Sequence, residues 1–409
     1  MMTRNEPENT GLSSLWQDAS ARRCKSALAL RAYTSRLIGA DRSLVLYGGG
    51  NTSLKEGGVL FVKGTGSDLA AVGAEDFTAL NLDDLRNILQ ETQVPDAELM
   101  HRISNCKLDP AAPKPSIETL LHAALPYAFV EHAHADAVLA VANVAESATA
   151  CAAAFSDLAP VVPYRHSGIA LARACKTVFD HHATSRTIGL ILAFHGVVAF
   201  GQSARESYDN LMRLVTIAEE YLLRHADSAP AVTPGLAPSA NEGLAESLRS
   251  SASTIAGFPL ASKIVCTPAT LAFSKRHDLA AISQQGPPTP QHAIYTKRVP
   301  LLGSDTEAYA ADYRAYLART LGPKAGHDID AAPRIALSPE FGLCAFGVDE
   351  HHAAVAAEIY LHDIDIITRA SAHGTYRSAR EEDIARAELE YGGFEKRVRA
   401  GLASSRSSS

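Results

Sequence analysis

The amino-acid sequence predicts an α/β protein of two domains. Its 409 residues exceed the length of most single domains. Along both halves, apolar runs of strand length alternate with amphipathic segments at helical spacing. A segment rich in Pro, Ala and Ser lies between the halves and has the composition of a linker. We therefore expect a first domain at 15–226, a linker at 227–240 and a second α/β domain at 241–398, between disordered ends at 1–14 and 399–409.

The composition is typical of a soluble globular protein, with 46% hydrophobic and 20% charged residues. The net charge of −7 argues against a general nucleic-acid or membrane-surface binder, which needs a basic face. The six cysteines form no CxxC pair, which is typical of reduced thiols. No signal peptide is visible, and no apolar run reaches the length of a membrane span. We expect a cytoplasmic protein.

In the first domain, the apolar pattern predicts helices and strands in alternation. The predicted helices span 15–37 (as one or two helices), 116–125, 135–144 and 203–225. The predicted strands span 43–47, 59–63 and 129–134, with a pair between 188 and 200 that turns at His195 and Gly196. Glycine-rich loops at 48–53 and 64–67 follow the first two strands.

The second domain repeats part of this pattern, with predicted strands at 263–266, 335–338 and 343–346 and helices at 309–321 and 352–369. Residues 192–201 resemble 337–347, because Gly196, Ala199, Phe200 and Gly201 all recur at an offset of 146. A degenerate copy of the first domain and a coincidence both explain this similarity. In a copy, Phe341 would stand at the position of His195.

Three histidines form a candidate metal site. His132 and His134 alternate along a predicted strand, so their side chains share one face, roughly 6 to 7 Å apart. His195 ends a buried apolar run. Each has an ordinary structural alternative, but three neutral imidazoles with one open position are typical of catalytic zinc. We predict that they bind one divalent ion, Zn²⁺ in the first place, with Mn²⁺, Co²⁺ and Fe²⁺ as alternatives.

Glu118, in the first turn of a predicted helix, is the candidate carboxylate of this site. The alternative is a simple favourable charge at a helix N-terminus. Glu131 and Asp136 flank the histidines and are weaker candidates, since Glu131 alternates onto the opposite strand face. The two glycine-rich loops could present backbone N–H groups to an oxyanion, but they match neither the Walker nor the GxGxxG pattern, so tight turns remain the alternative.

Together these motifs resemble the class II aldolase/adducin family. The matching residues, in family order over roughly 30 to 225, are Gly50-Asn51-Thr52-Ser53, Thr65-Gly66, Pro115-Ser116-Ile117-Glu118, His132-Ala133-His134, Pro163-Tyr164, Gly168 and His195-Gly196-Val197. With 289–298 included, the chain is similar to the aldolase part of bacterial rhamnulose-1-phosphate aldolase/alcohol dehydrogenase fusions. The resemblance implies an α/β/α sandwich around a central mixed, largely antiparallel sheet. Since we find no nicotinamide fingerprint, we expect the oxidation step to be absent.

The resemblance also implies roles for residues of this chain. His132, His134 and His195 would bind the metal, with Glu118 as acid/base and displaceable fourth ligand. The positions that contact the substrate phosphate in the family correspond here to Asn51, Thr65, Gly66 and Ser116. Ile117 stands where the family carries a second serine, and Lys63 could compensate as a point charge. We further expect Ile117 and Leu121 to raise the pKa of Glu118 through an apolar environment.

The implied reaction is cleavage of a deoxyketose 1-phosphate, of the rhamnulose or fuculose type, to dihydroxyacetone phosphate and an aldehyde. The metal would stabilise the enediolate formed when C3–C4 breaks, and Glu118 would shuttle the proton at C3. Two alternatives stay open: a sugar-phosphate epimerase, dehydratase or decarboxylase of the same fold, and a non-catalytic adducin-like interaction module. Family precedent suggests a homo-oligomer, in particular a tetramer.

Overall fold

The computed structural model describes residues 14–91, 94, 96–225, 240–322 and 329–389. Residues 1–13 of the expected N-terminal end at 1–14, the expected end at 399–409, and residues 227–239 of the expected linker at 227–240 lie outside the described residues. The chain forms two compact units: one holds the residues up to Ala142 together with Glu146–His225, and the other holds Asn143–Ala145 with the residues from 226 onward. Within the described ranges, no helix combines the length and apolar character needed to cross a membrane.

The first unit alternates helices and strands along the chain. Its helices are α1 (Asp18–Ala21), α2 (Ala27–Ala40), α3 (Leu82–Gln90), α4 (Asp96–Asn105), α5 (Thr119–Ala124), α6 (Asp136–Ala142), α7 (Ser147–Phe155), α8 (Ile169–His182) and α9 (Ala204–Leu223). Its strands are β1 (Asn51–Glu56), β2 (Val59–Lys63), β3 (Phe77–Asn81), β4 (Phe129–Ala133), β5 (Val161–Val162), β6 (Gly189–Leu192) and β7 (Gly196–Gly201).

These strands form one mixed sheet in the order β3-β2-β1-β4-β7-β6-β5. Among these seven strands only the β5–β6 pair is parallel, so the expected mixed, largely antiparallel sheet is confirmed. Successive residues of β4 face opposite layers of helices. Val130 lies in an apolar cluster with residues of α3, α5 and α8, whereas Glu131 bonds Arg31 of α2 and Ser207 of α9. The sheet therefore lies between two helical layers.

Three local expectations were wrong. No strand forms over 43–47: Leu44 and Val45 are buried, but their backbone N–H groups donate to the carbonyl of Asp41 in a turn, and the strand begins later, at Asn51. The helix expected from 116 begins at Thr119, which leaves Glu118 as the N-cap residue. The β6–β7 hairpin turns before Gly196, with Phe194 at φ 57°.

The second unit holds a smaller sheet and its own helices. The helices are α10 (Glu242–Ala256), α11 (Pro268–Ser274), α12 (Leu279–Ser283), α13 (Ala293–Thr296), α14 (Thr306–Leu321) and α15 (Glu350–His373). The strands are β8 (Ala261–Val265), β9 (Leu301–Leu302), β10 (Ile335–Ser338) and β11 (Gly342–Gly347). The sheet has the order β8-β11-β10-β9, and of these four strands only β9 and β10 pair in parallel.

This smaller sheet repeats the β4-β7-β6-β5 part of the larger one. The strands have the same order in both sheets. Their neighbouring pairs also have the same directions: the first two pairs are antiparallel and the third is parallel. The offset of 146 residues is constant: β10 corresponds to β6, β11 corresponds to β7, and the start of α15 corresponds to the start of α9. Agreement in order, direction and offset favours a degenerate copy over coincidence.

Glu388 lies in a buried polar cluster of the second unit. Its carboxylate accepts hydrogen bonds from the hydroxyls of Tyr313 (3.1 Å) and Tyr316 (2.9 Å) and from the backbone N–H of Arg298 (3.0 Å). Burial raises the pKa of Glu388 to about 7, although Lys297 and the hydrogen bonds work against it. This carboxyl group therefore titrates close to neutrality.

Candidate metal centre and active site

The three histidines converge because two adjacent strands carry them to the same end of the sheet. His132 lies in β4 and His134 one residue beyond it, while His195 lies directly before β7, which pairs with β4. The ring centroids are 4.8 to 5.2 Å apart. All three side chains are buried. Gly196 permits this convergence, because a Cβ there would lie only 2.3 Å from the carbonyl oxygen of Ala133.

The donor set fits a divalent metal ion. One ligand nitrogen from each histidine lies within 4.8 Å of the others, and Nε2 of His132 is 3.0 Å from Nε2 of His134. Bonds of about 2.0 to 2.1 Å to one tetrahedral ion would place two nitrogens about 3.4 Å apart. The carbonyl of Val197 accepts from Nδ1 of His132 at 3.0 Å, which leaves Nε2 as the nitrogen with a free lone pair. Burial lowers the pKa of His132, so the imidazole is neutral, as a ligand must be.

Glu118 joins the histidines from the start of α5. Its carboxylate oxygens lie 3.1 Å from Nε2 of His195 and 3.4 Å from Nε2 of His132. Two donors hold it there: Nδ2 of Asn51 at 2.7 Å from Oε2 and Oγ of Ser167 at 3.2 Å from Oε1. Its side chain makes no capping hydrogen bond to α5, so its hydrogen bonds are directed to Asn51 and Ser167.

The pKa of Glu118 moves opposite to the sequence-based expectation. Burial raises it, as expected for an apolar environment, but the nearby imidazoles of His132, His195 and His134 outweigh burial and hold the pKa well below its usual range. Glu118 is therefore ionised at neutral pH. In this state it can accept a proton or bind a cation.

Of the two rival carboxylates, Glu131 is directed away from the histidines. Glu131 points to the opposite face of β4, where its Oε1 accepts from Arg31 at 2.8 Å and from Ser207 at 2.9 Å. Asp136 begins α6, where its backbone N–H donates to the carbonyl of Ser43. Glu131 is therefore not a carboxylate of the histidine cluster, whereas Glu118 lies against two of its histidines.

The residues expected at a phosphate adjoin the carboxylate. Nδ2 of Asn51 lies 3.3 Å from Oγ of Ser116, and Oγ1 of Thr65 donates to the carbonyl of Pro115 at 3.1 Å. These contacts connect the start of β1 and the loop after β2 to the segment before α5. Gly66 has φ 92° with open space on the side where a Cβ would lie, so its backbone is approachable. Lys63 ends β2 with only 3% of its surface exposed. Burial lowers the pKa of Lys63, while Asp68, Asp76 and Glu118 counteract it.

Two residues of the site were missed in the sequence. Ser167 bonds Glu118, and His122 bonds both Asn51 and Ser53. His122 lies four residues after Glu118, which is one helical turn, so its spacing was an available signal. Ser167 precedes Gly168, which matched the family, but no spacing rule links it to a glutamate 49 positions away.

The second unit carries apolar residues at two of the corresponding positions. In the first unit, His132 pairs with Val198 of the neighbouring strand. The residue 146 positions after Val198 is Cys344, and in the second unit it pairs with Ile264. Ile264 is therefore the counterpart of His132. By the same register, Cys266 corresponds to His134 and Phe341 to His195. Among the described residues, the only cluster of three potential ligands of this kind is the one in the first unit.

Two family models match this chain. The model of the class II aldolase and adducin N-terminal domain matches residues 29–222, and the model of the second domain of class II aldolases matches residues 239–397. The two matches follow one another and together cover most of the chain.

Individual relatives were found among solved structures and curated proteins. The N-terminal class II aldolase domain of a conserved protein from Thermoplasma acidophilum is 32% identical, and the match covers 52% of this chain and 100% of that one with a TM-score of 0.47. L-fuculose-1-phosphate aldolase from Thermus thermophilus is 17% identical over 51% of this chain and 100% of that one, with a TM-score of 0.35. The uncharacterized oxidoreductase YuxG of Bacillus subtilis (strain 168) is 29% identical over 90% of this chain. The match covers 58% of the length of YuxG.

Proposed function

Because this chain belongs to the class II aldolase and adducin family, we propose that it is a metal-dependent aldolase that cleaves a deoxyketose 1-phosphate. The products would be dihydroxyacetone phosphate and an aldehyde, with sugars of the rhamnulose or fuculose type as substrates. The observation that carries the proposal is the ionised carboxylate of Glu118, held within 3.4 Å of two imidazoles of a three-histidine cluster.

His132, His134 and His195 would hold the metal, with Glu118 as a fourth ligand that substrate displaces. A bound divalent ion, Zn²⁺ or another of its kind, would supply Lewis-acid stabilisation of negative charge on the substrate oxygens. The neutral state of His132 supports the ligand assignment, since a protonated imidazole has no free lone pair.

Glu118 would act as the acid/base at C3 of dihydroxyacetone phosphate. The carboxylate lies beside the histidines that would hold the metal, so it could accept the C3 proton when the enediolate forms in the synthetic direction. In cleavage, Glu118 would first gain the proton that the C4 hydroxyl of the substrate loses as C3–C4 breaks, and would then deliver it to C3 of the enediolate. Asn51 and Ser167 donate to its two oxygens and so keep the carboxylate in one orientation.

The phosphate would bind where the β2–β3 connection meets the segment before α5. Thr65, Gly66, Asn51 and Ser116 would contribute hydroxyl, amide and backbone N–H donors. Lys63 would compensate with its positive charge for the serine hydroxyl that is lost at Ile117. Its buried position supports this role, because a bound dianion would offset the desolvation that lowers the pKa of Lys63.

Metal analysis and a substrate panel test the proposal. The purified protein should contain about one divalent ion per chain and His134→Ala should lose it, since one of three ligands is removed. A coupled assay should detect dihydroxyacetone phosphate release from at least one ketose 1-phosphate, and a parallel assay should detect no dihydroxyacetone release from the unphosphorylated ketose. Glu118→Gln should keep the metal and lose proton exchange at C3 of dihydroxyacetone phosphate.

The outcomes separate the alternatives. A native protein without metal would contradict the aldolase and the epimerase, dehydratase and decarboxylase alternatives together, and would leave the adducin-like interaction module. A metal-containing protein that releases no dihydroxyacetone phosphate, but epimerises, dehydrates or decarboxylates its substrate, would replace the aldolase proposal. We also propose that the enzyme acts in the cytoplasm as a homo-oligomer, in particular a tetramer, which light scattering of the purified protein tests.

A further inference from the structure

His122 is a buried histidine that lies next to the candidate site but is not one of its three clustered histidines. It sits in α5, four residues after Glu118, with no exposed surface. Its Nε2 bonds Oδ1 of Asn51, and its Nδ1 lies 2.7 Å from Oγ of Ser53. Asn51 and Ser53 are alternate residues of β1 and share the strand face that His122 meets.

We propose that His122 is a positioning residue that locks the side-chain amide of Asn51 with its nitrogen toward Glu118. The hydrogen-bond geometry leaves one consistent arrangement. The amide nitrogen of Asn51 lies 2.7 Å from Oε2 of Glu118 and 3.3 Å from Oγ of Ser116, and its two N–H groups can donate to both oxygens. The amide oxygen of Asn51 then faces His122 and needs a donor there.

The same logic fixes the tautomer of His122. A neutral imidazole carries one N–H, and Nε2 must carry it in order to donate to Asn51. Nδ1 of His122 is then an acceptor, and the hydroxyl of Ser53 supplies its hydrogen. Ser53, His122, Asn51 and Glu118 therefore form one chain of donors that ends on the carboxylate.

The chain has a consequence for the proposed function, on which this part of the inference rests. If the Asn51 amide rotated by half a turn, its oxygen would face Oε2 of Glu118 and repel it. The carboxylate would then lose its shortest hydrogen bond, the one of 2.7 Å from Asn51. Misplacement of an acid/base group lowers turnover even when every reacting group is present.

Two substitutions of His122 separate positioning from packing. His122→Phe retains an aromatic ring of similar size but has no N–H, whereas His122→Gln alters the shape and retains an amide N–H that can reach Asn51. We expect kcat of the metal-loaded enzyme to fall about 10- to 100-fold in His122→Phe and only several-fold in His122→Gln. A packing role predicts the reverse order, since phenylalanine fills the buried space better. That reverse order would overturn the proposal.

A second comparison tests whether His122 acts through Asn51. In an Asn51→Ala background, His122→Phe should lower kcat by less than about 2-fold further, because the amide that it orients is gone. A full additional 10- to 100-fold loss would show that His122 acts by another route. Thermal unfolding and metal content of each variant confirm that the comparison is made between folded, loaded proteins.

Neutron diffraction of the deuterated, metal-loaded protein tests the inference without any activity. We expect a deuteron on Nε2 of His122, none on Nδ1, and two on the Asn51 nitrogen that faces Glu118. A deuteron on Nδ1 of His122 alone, or a reversed amide, would refute the arrangement. If the enzyme turned out to have no aldolase activity, the proposed function would fail while this measurement still decides the role of His122.

Discussion

Replacing Gly196 with alanine tests whether the close approach of β4 and β7 holds the metal centre together. The added Cβ would lie 2.3 Å from the carbonyl oxygen of Ala133 and 3.2 Å from Cδ2 of His134. Because Cβ atoms essentially never come closer than 3.0 Å to another heavy atom, the Ala133 carbonyl would have to retreat by at least about 0.7 Å. That shift exceeds the roughly 0.5 Å within which a functional site must be held.

We therefore expect Gly196→Ala to weaken metal binding about 10- to 100-fold. The φ of 152° at this position adds strain, which costs on the order of 1–3 kcal/mol of unfolding free energy in the metal-free protein. Competition with a chromophoric chelator measures the metal affinity, and urea denaturation measures the stability. His134 should show the displacement in a structure of the variant.

Gly48→Ala is the matched control. Gly48 also has a positive φ, 71°, but a Cβ there would meet nothing within 4 Å. It should lose about 1–2 kcal/mol of stability and bind metal with unchanged affinity. The reasoning fails if Gly196→Ala binds metal as tightly as the wild type, or if Gly48→Ala weakens binding as much.

Two further predictions concern buried carboxyl groups. Burial raises the pKa of Glu388 in the folded protein to about 7. The protonated carboxyl group therefore stabilises the fold fully below the pKa of an unfolded glutamate, and this stabilisation is lost as the pH rises through 7. Relative to Glu388→Gln, the wild type should lose at most about 3 kcal/mol in urea denaturation between pH 4.5 and 8, and a pH-independent difference would contradict this. Glu131→Ala should cost about 3–5 kcal/mol, because it leaves the fully buried Arg31 without its carboxylate. Asp180→Ala, which breaks an exposed ion pair, should cost less than about 1 kcal/mol, and equal losses in the two variants would refute the argument.

The histidines and Glu118 could be found in the sequence because their arrangement follows from short-range rules. Alternate residues of a strand share a face, so His132 and His134 had to lie together once β4 formed. Sequence patterns cannot provide the pairing of β4 with β7, which carries His195 to them across about sixty residues. The family resemblance supplied that link.

The expectations that failed depended on surroundings rather than on local pattern. The run at 43–47 is apolar because Leu44, Val45 and Leu46 are buried, and burial alone does not specify an extended backbone. The pKa of Glu118 was expected to follow its apolar neighbours Ile117 and Leu121. In the structure it follows the imidazoles that strand pairing places against it.

The second unit repeats the strand order of the first unit but has other residues at the positions of the histidines. With Ile264 and Phe341 at the counterparts of His132 and His195, the same strand order and turn persist without the ligands. Histidines at these positions are thus not needed for the strands to assemble, which supports the proposal that the histidines of the first unit bind a metal. The chain therefore contains the sheet with the histidines and the sheet without them. Substitutions at matching positions of the two sheets would separate the effect of each residue on stability from its effect on metal binding and activity.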